Sequence, residues 1–196
     1  EEMISHNMSR KDAIIALGGG VVGDLAGFVA ASYMRGIDFY NIPTTVLSQV
    51  DSSVGGKVAI DMGSYKNIVG AFWQPKTVII DPNVLSTLSL RQQHNGLCEA
   101  LKMGLILDDH LVSLFEQETI DIDAIITRSI ELKRDVVQQD ERESNLRKIL
   151  NFGHTIGHAI ESAYGLNTYL HGECVAMGML FFIEDKTLKT TRIKHI

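Results

Sequence analysis

The stretch AIIALGGGVVGD, residues 13–24, decides the fold. Residues 13–17 form a continuous apolar run, as expected of a buried strand in a parallel sheet. Three glycines follow, and residues 22–34 have the small and apolar composition of a helix. Glycine lets backbone N–H groups approach a phosphate, and the N-terminus of a helix adds positive potential. The spacing differs from G-x-G-x-x-G, so a tight strand-to-helix turn is the alternative interpretation.

The sequence around this stretch predicts two regions that differ in secondary structure. Further strands are predicted at Phe39–Ile42 and Val78–Ile80, the latter stopped by Asp81-Pro82, which favours βαβ units over a parallel sheet. From Asn83 onward apolar residues recur at helical spacing, and no proline after Pro82 demands a helix break. The predicted helical stretches are residues 97–103, 111–115, 125–137 and 146–160.

The predicted fold class is therefore α/β plus all-α. Residues 1–86 are predicted to form a truncated Rossmann-like, nucleotide-binding half, and residues 87–196 a helical metal-binding half.

Composition excludes several classes of protein. The 196 residues carry a formal charge of −6 and a pI of about 5.6, which argues against nucleic-acid binding. Two cysteines, Cys98 and Cys174, exclude a disulfide scaffold and are predicted to be small buried residues. No apolar run approaches the roughly 20 residues of a membrane span, and no secretory signal is visible. We therefore expect a cytoplasmic protein without a membrane or nucleic-acid partner.

Two further segments predict binding of an anionic ligand. Thr44-Thr45 and the run DSSVGGK, residues 51–57, have the composition of an anion cradle, and Lys66-Asn67 follows. A flexible surface loop is the alternative. On a predicted helix, Glu99 and Lys102 are spaced i, i+3 and share one side, although an exposed salt bridge is the usual meaning of such a pair.

The histidine-rich segment predicts a metal site. His154 and His158 are spaced i, i+4 on a predicted helix, and His171 follows. Spacing alone does not choose among these histidines or among the carboxylates of Glu99, Glu161 and Glu173, and incidental surface histidines are the alternative. A metal beside a dinucleotide cradle indicates alcohol oxidation, in which the metal holds a hydroxyl and the cofactor takes the hydride.

Seven ordered strings then resemble a known family. They are GGGVVGDLAGF, IPTT, VDSSVGGK, KNIVGAFWQP, NGLCEALKMG, LNFGHTIGHAIE and LHGECVAMGM. Their order and spacing, from about residue 10 to residue 180, resemble dehydroquinate synthase of the sugar phosphate cyclases, which are akin to metal-dependent polyol dehydrogenases.

The resemblance implies an NAD- and divalent-metal-dependent carbon–oxygen lyase of the shikimate pathway. Such enzymes convert 3-deoxy-D-arabino-heptulosonate 7-phosphate to 3-dehydroquinate and phosphate. The steps are transient oxidation by NAD, phosphate elimination, re-reduction and intramolecular aldol closure.

The resemblance also implies roles for individual residues. The implied ligands of a zinc or cobalt ion are Glu99, His154 and His171. The implied NAD-binding positions are Gly20, Val21, Val22, Gly23, Asp24, Thr44, Thr45, Lys57, Lys66 and Thr87. The implied catalytic or substrate-pocket positions are Asp51, Lys57, Asn67, Lys102, Lys133, Glu143, Arg147, Asn151 and His158. Arg35 matches an arginine that reaches into the partner subunit's site in family homodimers, and Glu161 and Glu173 would lie outside the ligand set.

The sequence departs from the family at a few places. Val58-Ala59-Ile60-Asp61 stands where Thr-Gly-Val-Asn is usual, and residues 185–192 do not resemble the family and are expected to be frayed or altered. Family chains are longer at both ends, so we expect this chain to be a fragment that is inactive by itself.

Three alternative functions stay open at this point. One is a sister cyclase of the 2-deoxy-scyllo-inosose or epi-valiolone type, and another is a polyol dehydrogenase that releases NADH. The third is a non-catalytic fragment that retains metal binding and dimerisation. The native metal, and whether the whole protein is a single enzyme or part of a multifunctional one, are not determined by these residues.

Overall fold

The structure is a computed structural model that describes residues 1–63, 65–165 and 168–184. The tail at residues 185–192 lies outside the described residues. Within the described part, no helix combines the length and the apolar character that crossing a lipid bilayer requires.

The first half contains a small parallel sheet, as predicted. Strand β1, Ala13–Gly18, pairs in parallel with β2, Asp38–Pro43, which pairs in parallel with β5, Thr77–Val78. The short helix α1, Glu2–Ser5, precedes the sheet, and α2, Gly20–Ser32, connects its first two strands. Strand β5 ends at Val78 and not at Ile80 as expected, because its pairing with β2 stops at Val78.

One face of this sheet carries the core of the first half. Phe39 and Val58 pack against α2, where a Cβ on Gly27 would lie 2.4 Å from Val58 Cγ1. The opposite face differs from the prediction of a fully buried strand, since Ile15 and Leu17 are 67% and 64% exposed. Among the described residues, no strand or helix covers that side of β1, so alternate side chains of the apolar run face outward.

An antiparallel hairpin was not predicted. Strands β3, Lys57–Met62, and β4, Tyr65–Phe72, pair with each other next to α2. The backbone N–H of Trp73 donates to Gly56 O at 2.7 Å, and this bond closes the open end of the hairpin. The run DSSVGGK begins in a π-helical turn, Ser48–Ser52, and ends at Lys57, the first residue of β3. Its residues 53–56 form a turn between these two elements.

The second half is helical, as predicted. Helix α3 spans Leu90–Leu107, α4 spans Asp109–Phe115 and α5 spans Ile122–Gln139. Side chains begin two of these helices: Asp108 accepts from the N–H groups of His110 and Leu111, and Asp121 accepts from Ala124 N. The three helices share a core with the π-helical turn of the first half, so the two halves pack directly against each other.

The helix expected over residues 146–160 is broken, and this expectation was wrong. A 3₁₀ turn, Leu146–Asn151, leads into α6, His154–Tyr164, and α7, His171–Glu184, packs against α6. The break falls at Gly153, whose φ of +77° ends one element and begins the next. A glycine, rather than a proline, therefore breaks the helix. Two further 3₁₀ turns, Tyr33–Arg35 and Pro82–Thr87, join elements of the first half and lead toward α3.

Candidate active site

A cavity of about 560 Å³ opens between the two halves of the chain. The π-helical turn and the hairpin supply one wall, and α3, α5, α6, α7 and the 3₁₀ turn before α6 supply the other. Nine of the ten residues predicted for catalysis or substrate binding line this cavity: Asp51, Lys57, Asn67, Lys102, Lys133, Glu143, Arg147, Asn151 and His158. The tenth, Arg35, is exposed and lies outside the cavity lining.

Glu99, His154 and His171 come together at one end of the cavity. Glu99 lies in the middle of α3, whereas the two histidines are the first residues of α6 and α7. Glu99 Oε1 lies 3.9 Å from His154 Nε2 and 3.6 Å from His171 Nε2. One potential ligand atom from each residue lies within 4.8 Å of the other two.

The surroundings of these three side chains fit a divalent cation. Oε1 of Glu99 is buried and has no hydrogen-bond partner among the described residues. His154 Nδ1 lies 3.2 Å from Phe152 O, and His171 Nδ1 lies 3.3 Å from Glu161 Oε1. Acceptors at Nδ1 favour a proton on that nitrogen, which leaves the lone pair of Nε2 free. A buried, unpartnered carboxylate oxygen and two Nε2 lone pairs form a three-ligand set suited to zinc or cobalt.

A second possible group of ligands overlaps the first. It consists of His158, Glu161 and His171. Glu161 Oε1 already faces His171 Nδ1, and it lies 3.6 Å from Lys66 Nζ. These contacts favour Glu161 as the partner that orients His171. The i, i+4 pair expected from helical spacing is close, with ring centroids of His154 and His158 5.4 Å apart, but His158 is exposed at the cavity.

Partial burial lowers the pKa of both histidines of α6, His154 and His158, and so favours their neutral form. Burial, followed by the charge of Lys102, lowers the pKa of His154. Burial, followed by the charge of His171, lowers the pKa of His158. Neutral imidazole is the form that binds a metal or accepts a proton.

Two lysines form ion pairs with carboxylates at the floor of the cavity. The ammonium of Lys102 donates to Glu99 Oε2, and both side chains are at most 2% exposed, so this pair is not the exposed salt bridge of the alternative interpretation. Lys133 Nζ on α5 lies 2.7 Å from Asp51 Oδ1 and also donates to Asp51 O. Burial opposes ionisation of Asp51, but Lys133 and Lys102 outweigh it and hold its pKa well below the usual range.

A loop before α6 presents charged groups at the mouth of the cavity. Glu143, with a φ of +58°, accepts from Lys57 through Oε2 and from Asn151 Nδ2 at 2.7 Å through Oε1. The buried Arg147 donates to Gly55 O at 3.0 Å. Although burial raises the pKa of Glu143, the hydrogen bonds from Lys57 and Asn151 lower it below its ordinary value.

Sequence reasoning missed the residue that shapes this loop. The carboxylate of Asp140 accepts from the backbone N–H groups of Ser144, Asn145 and Arg147. Burial opposes ionisation, but these bonds hold the pKa of Asp140 well below its usual range. An Asp at a helix end followed by a polar segment is a weak signal for such a turn. Also missed were cavity-lining residues of the hairpin: Ala59, Gly70, Ala71 and Phe72.

The predicted nucleotide cradle lies at the start of α2. Gly19 precedes this helix, and a Cβ there would lie 3.1 Å from Thr45 Cγ2. A Cβ on Gly20 would lie 3.1 Å from Ser52 Oγ, so both glycines allow close approach of the neighbouring turn. Thr44 N donates to Gly18 O at 2.9 Å, which fixes the strand-to-helix turn against the following strand end.

The other predicted nucleotide positions are more scattered. Gly23 is buried against Asn41, whereas Val21 and Val22 are exposed. Asp24 and Lys57 line the cavity, Lys66 lies on β4 beside Glu161, and Thr87 is exposed at the end of its 3₁₀ turn. Burial, with the charges of Asp51 and Asp61, raises the pKa of Asp24 to about 6 against the opposing charge of Lys133.

The two cysteines and Glu173 lie around the site. Cys174 on α7 is buried as predicted, but Cys98 on α3 is only partly buried. Glu173 pairs with Arg91, and their shortest contact is 2.6 Å between Glu173 Oε1 and Arg91 Nε. Glu173 does not belong to either ligand group found among the described residues.

Comparison with known proteins identifies the family. Residues 1–95 match the family model described as 3-dehydroquinate synthase N-terminal, and residues 96–192 match 3-dehydroquinate synthase C-terminal. The second match includes residues 185–192, so the expectation that this tail does not resemble the family was wrong. A curated 3-dehydroquinate synthase from Caldanaerobacter subterraneus subsp. tengcongensis is 58% identical over 180 residues, which are 88% of this chain and 51% of that protein. One from Thermoanaerobacter pseudethanolicus is 54% identical, over 92% of this chain and 53% of that protein. The chain thus spans about half the length of these curated relatives.

Solved structures agree with this result. A 2-deoxy-scyllo-inosose synthase complexed with carbaglucose-6-phosphate, NAD+ and Co2+ has a TM-score of 0.86 and 34% identity, over 93% of this chain and 53% of that chain. A 2-epi-5-epi-valiolone synthase from Streptomyces hygroscopicus subsp. jinggangensis with NAD+ and Zn2+ bound has a TM-score of 0.83 and 31% identity, over 91% of this chain and 52% of that chain. With both family models matching in order along nearly the whole chain, the chain belongs to the 3-dehydroquinate synthase family.

Proposed function

We propose that this chain carries the metal and substrate groups of a 3-dehydroquinate synthase. The whole enzyme would convert 3-deoxy-D-arabino-heptulosonate 7-phosphate to 3-dehydroquinate and phosphate. The observation that carries the proposal is the meeting of Glu99, His154 and His171 beside a cavity with four cationic side chains. Curated relatives at 50% to 58% identity bear the same enzyme name, which supports it.

The proposed metal ligands are Glu99, His154 and His171. A divalent cation held by these three side chains would supply acidification of a substrate hydroxyl, and bound NAD would supply reversible hydride transfer. Glu161 orients His171 through Nδ1, and Phe152 O orients His154. Lys102 balances part of the charge of Glu99 through its contact with Oε2.

The proposed substrate contacts are the charged and amide groups of the cavity. A sugar phosphate carries negative charge, and Arg147, Lys57 and Lys133 supply the compensating cations. Asn67 and Asn151 supply amide groups for hydroxyls. Elimination breaks a carbon–oxygen bond and releases phosphate, and the proton removed from carbon goes to the substrate phosphate or to the neutral, exposed His158.

We also propose that NAD lies against the start of α2. The proposed positions are Gly20, Val21, Val22, Gly23, Asp24, Thr44, Thr45, Lys57, Lys66 and Thr87. A helix N-terminus formed by glycines favours a pyrophosphate, and the cradle opens toward the cavity through Asp24.

Metal analysis of the purified chain tests the centre of this proposal. Zinc or cobalt is expected near one equivalent in the wild-type chain and to be lost from His154→Ala. His94→Ala is the matched control, because His94 is an exposed histidine on α3. Metal absent from the wild type, or retained by His154→Ala, contradicts the assigned ligand set.

A sister cyclase is the second candidate, because the two solved cyclases resemble this structure closely. Thermal shift measurements on the metal-loaded chain with NAD separate the two. Stabilisation by 3-deoxy-D-arabino-heptulosonate 7-phosphate but not by carbaglucose-6-phosphate is expected, and the reverse favours the sister activity. Metal binding without stabilisation by either compound favours a non-catalytic role.

We further propose a cytoplasmic homodimer in which Arg35 acts in the partner's site. Arg35 is exposed, has a φ of +69° and lies outside the cavity of its own chain, which supports a role elsewhere. The two parts of the chain are proposed to meet at residues 86 and 87, within the 3₁₀ turn Pro82–Thr87. Sedimentation analysis tests the dimer, and Arg35→Ala is expected to weaken stabilisation by substrate while metal content stays unchanged.

A further inference from the structure

His171 is held on both sides by side chains that bind its neighbouring backbone groups. The N–H of Leu170 donates to Glu173 Oε2 at 2.8 Å, and the N–H of Gly172 donates to Asn95 Oδ1 at 2.7 Å. The first N–H groups of a helix have no partner within the helix itself. At the start of α7, the backbone N–H groups of Leu170 and Gly172 each donate to a side-chain oxygen. These bonds fix the peptide units on either side of His171.

Asn95 connects α3 and α7, two of the three helices that carry the proposed ligands. It lies on α3 one turn before Glu99, and positions i and i+4 share one face of a helix. Asn95 is 5% exposed, and its bond to Gly172 is buried. Helix α3 therefore supplies one proposed ligand and, one turn earlier, the acceptor that holds the neighbour of another.

Gly172 lets the helices approach closely enough for this bond. A Cβ on Gly172 would lie 2.0 Å from the backbone oxygen of Asn95 and 3.0 Å from its Oδ1. The contact is thus between backbones, and α7 cannot slide along α3 without losing it.

A second contact at the same helix start is weaker. Arg91 donates to both oxygens of Glu173, at 2.6 and 2.8 Å, and to Thr168 O at 3.0 Å. The Arg91 side chain is 56% exposed, so water and salt screen this pair. The buried Asn95 bond is the stronger constraint, because an unsatisfied buried N–H costs more than a solvated one.

We propose that Asn95 is a positioning residue that sets the placement of His171 relative to Glu99, and thereby the affinity and coordination geometry of the metal centre. The inference rests on the proposed ligand set. Without the Asn95 acceptor, the first turn of α7 shifts to satisfy the Gly172 N–H, and His171 Nε2 moves away from its position 3.6 Å from Glu99 Oε1. Groups that orient metal ligands typically affect metal affinity by about 10–100-fold.

Cobalt titration of the purified chain tests this inference. Asn95→Leu keeps the number and branching of the side-chain heavy atoms but removes the acceptor, whereas Asn95→Asp keeps an acceptor oxygen. The dissociation constant for Co²⁺ is measured by competition with a chelator, and the visible d–d absorption reports coordination geometry. Ser129→Ala is the matched control, because it removes a buried hydrogen bond, Ser129 Oγ to Ile125 O, on α5 away from the proposed ligands.

The expected result is that Asn95→Leu weakens Co²⁺ binding by about 10–100-fold and changes the d–d spectrum. Asn95→Asp is expected to restore most of the affinity, and Ser129→Ala to leave affinity and spectrum unchanged. Circular dichroism of each metal-free variant verifies folding, and Asn95→Ala replaces Asn95→Leu, with the same expectation, if the latter does not fold.

Two contrary outcomes have different meanings. Wild-type affinity and spectrum in the folded Asn95→Leu or Asn95→Ala variant overturn the role of Asn95 while the metal centre stands. A wild-type chain that binds no Co²⁺, or that binds it equally after His154→Ala, overturns the proposed ligand set and this inference with it.

Discussion

At the scale of single residues, the carboxylate of Glu99 has two different neighbours. Oε2 accepts from Lys102, whereas Oε1 faces two imidazole nitrogens and has no hydrogen-bond partner in the part of the chain that the structure describes. Removing one partner of a buried ion pair leaves an uncompensated charge, which costs far more than the loss of an exposed pair. Binding of a cation to Oε1 would offset the free-energy cost of burying this oxygen. Metal binding and the free energy of unfolding are therefore coupled at Glu99.

Lys102→Met tests this coupling. We expect it to lower the free energy of unfolding of the metal-free chain by about 3 kcal/mol, because Glu99 keeps a buried charge without its ammonium partner. The loss should be smaller with Co²⁺ present, since the cation compensates the same carboxylate. Urea denaturation with and without Co²⁺ measures both values, and Lys148→Met is the control at an exposed lysine. An equal loss in both conditions contradicts the coupling.

The raised pKa of Asp24 predicts how the free energy of unfolding depends on pH. Burial raises its pKa to about 6, so ionisation is less favourable in the folded chain than in the unfolded chain. The unfolded carboxyl ionises near pH 4, so the folded chain loses stability as pH rises from about 4 to 6 and keeps that loss above 6. Asp24→Asn should therefore stabilise the metal-free chain by about 1–2 kcal/mol at pH 7.5, after allowance for solvent screening.

Urea denaturation of Asp24→Asn at several pH values is the measurement. The difference from wild type should be much smaller at pH 4, where Asp24 is protonated in the folded chain and about half protonated in the unfolded chain. Glu118→Gln is the control at an exposed carboxylate. A stabilisation that is the same at pH 4 and pH 7.5 would show that ionisation of Asp24 is not its cause.

At the scale of elements, the break at Gly153 places His154 at the start of α6. A Cβ at Gly153 would lie 2.8 Å from Val175 O and 2.7 Å from Met179 Cγ, in addition to the positive φ. The break therefore brings α6 and α7 close together, with one proposed ligand at the start of each helix. An unbroken helix would have carried His154 on a continuous face instead.

Gly153→Ala should lower the free energy of unfolding by about 3 kcal/mol and weaken Co²⁺ binding. The alanine would be strained at a positive φ, and its Cβ would also clash with α7. Gly63→Ala isolates the strain, since Gly63 has a φ of +61° and, apart from its chain neighbours, no described residue has an atom within 4 Å of the added Cβ. That control should lose about 1 kcal/mol and retain Co²⁺ affinity. Equal losses in the two variants would argue against close packing at Gly153.

At the scale of the whole molecule, the cavity exists because the two halves of the chain meet across charged pairs. Lys133 on α5 reaches Asp51 on the π-helical turn, and Arg147 reaches Gly55 O. These bonds join residues far apart in sequence and hold the sheet half against the helical half. The site is thus a property of the interface between the halves.

A double-mutant cycle on Lys133 and Asp51 measures this connection. Lys133→Met should cost about 2 kcal/mol, because Asp51 is only partly buried and retains some solvation. Adding Asp51→Asn should recover part of that loss, giving a coupling energy of about 1 kcal/mol by urea denaturation. Additive losses would show that the pair does not connect the halves.

Local patterns in the sequence predicted much of the architecture. The apolar run at residues 13–17 and the following glycines indicate a strand, a turn and a helix, and the structure has β1 and α2 there. Helical periodicity likewise indicates α3 and α5. These features are determined by neighbours along the chain, because strand and helix periods and backbone freedom depend on adjacent residues.

Other features depend on contacts between distant residues. The hairpin Lys57–Phe72, the break at Gly153 and the outward-facing side of β1 were not predicted. Spacing also paired His154 with His158, and resemblance to a family, rather than periodicity, pointed to Glu99 and His171.

Residues adjacent along the chain were sufficient to predict the local elements, and the ordered motifs were sufficient to identify the family. The packing of distant elements established that Glu99 Oε1 has no hydrogen-bond partner among the described residues and that Asn95 accepts from Gly172 N. The physical reason is that periodicity reports which face of one element is apolar. The distance between side chains on different elements depends on how those elements pack.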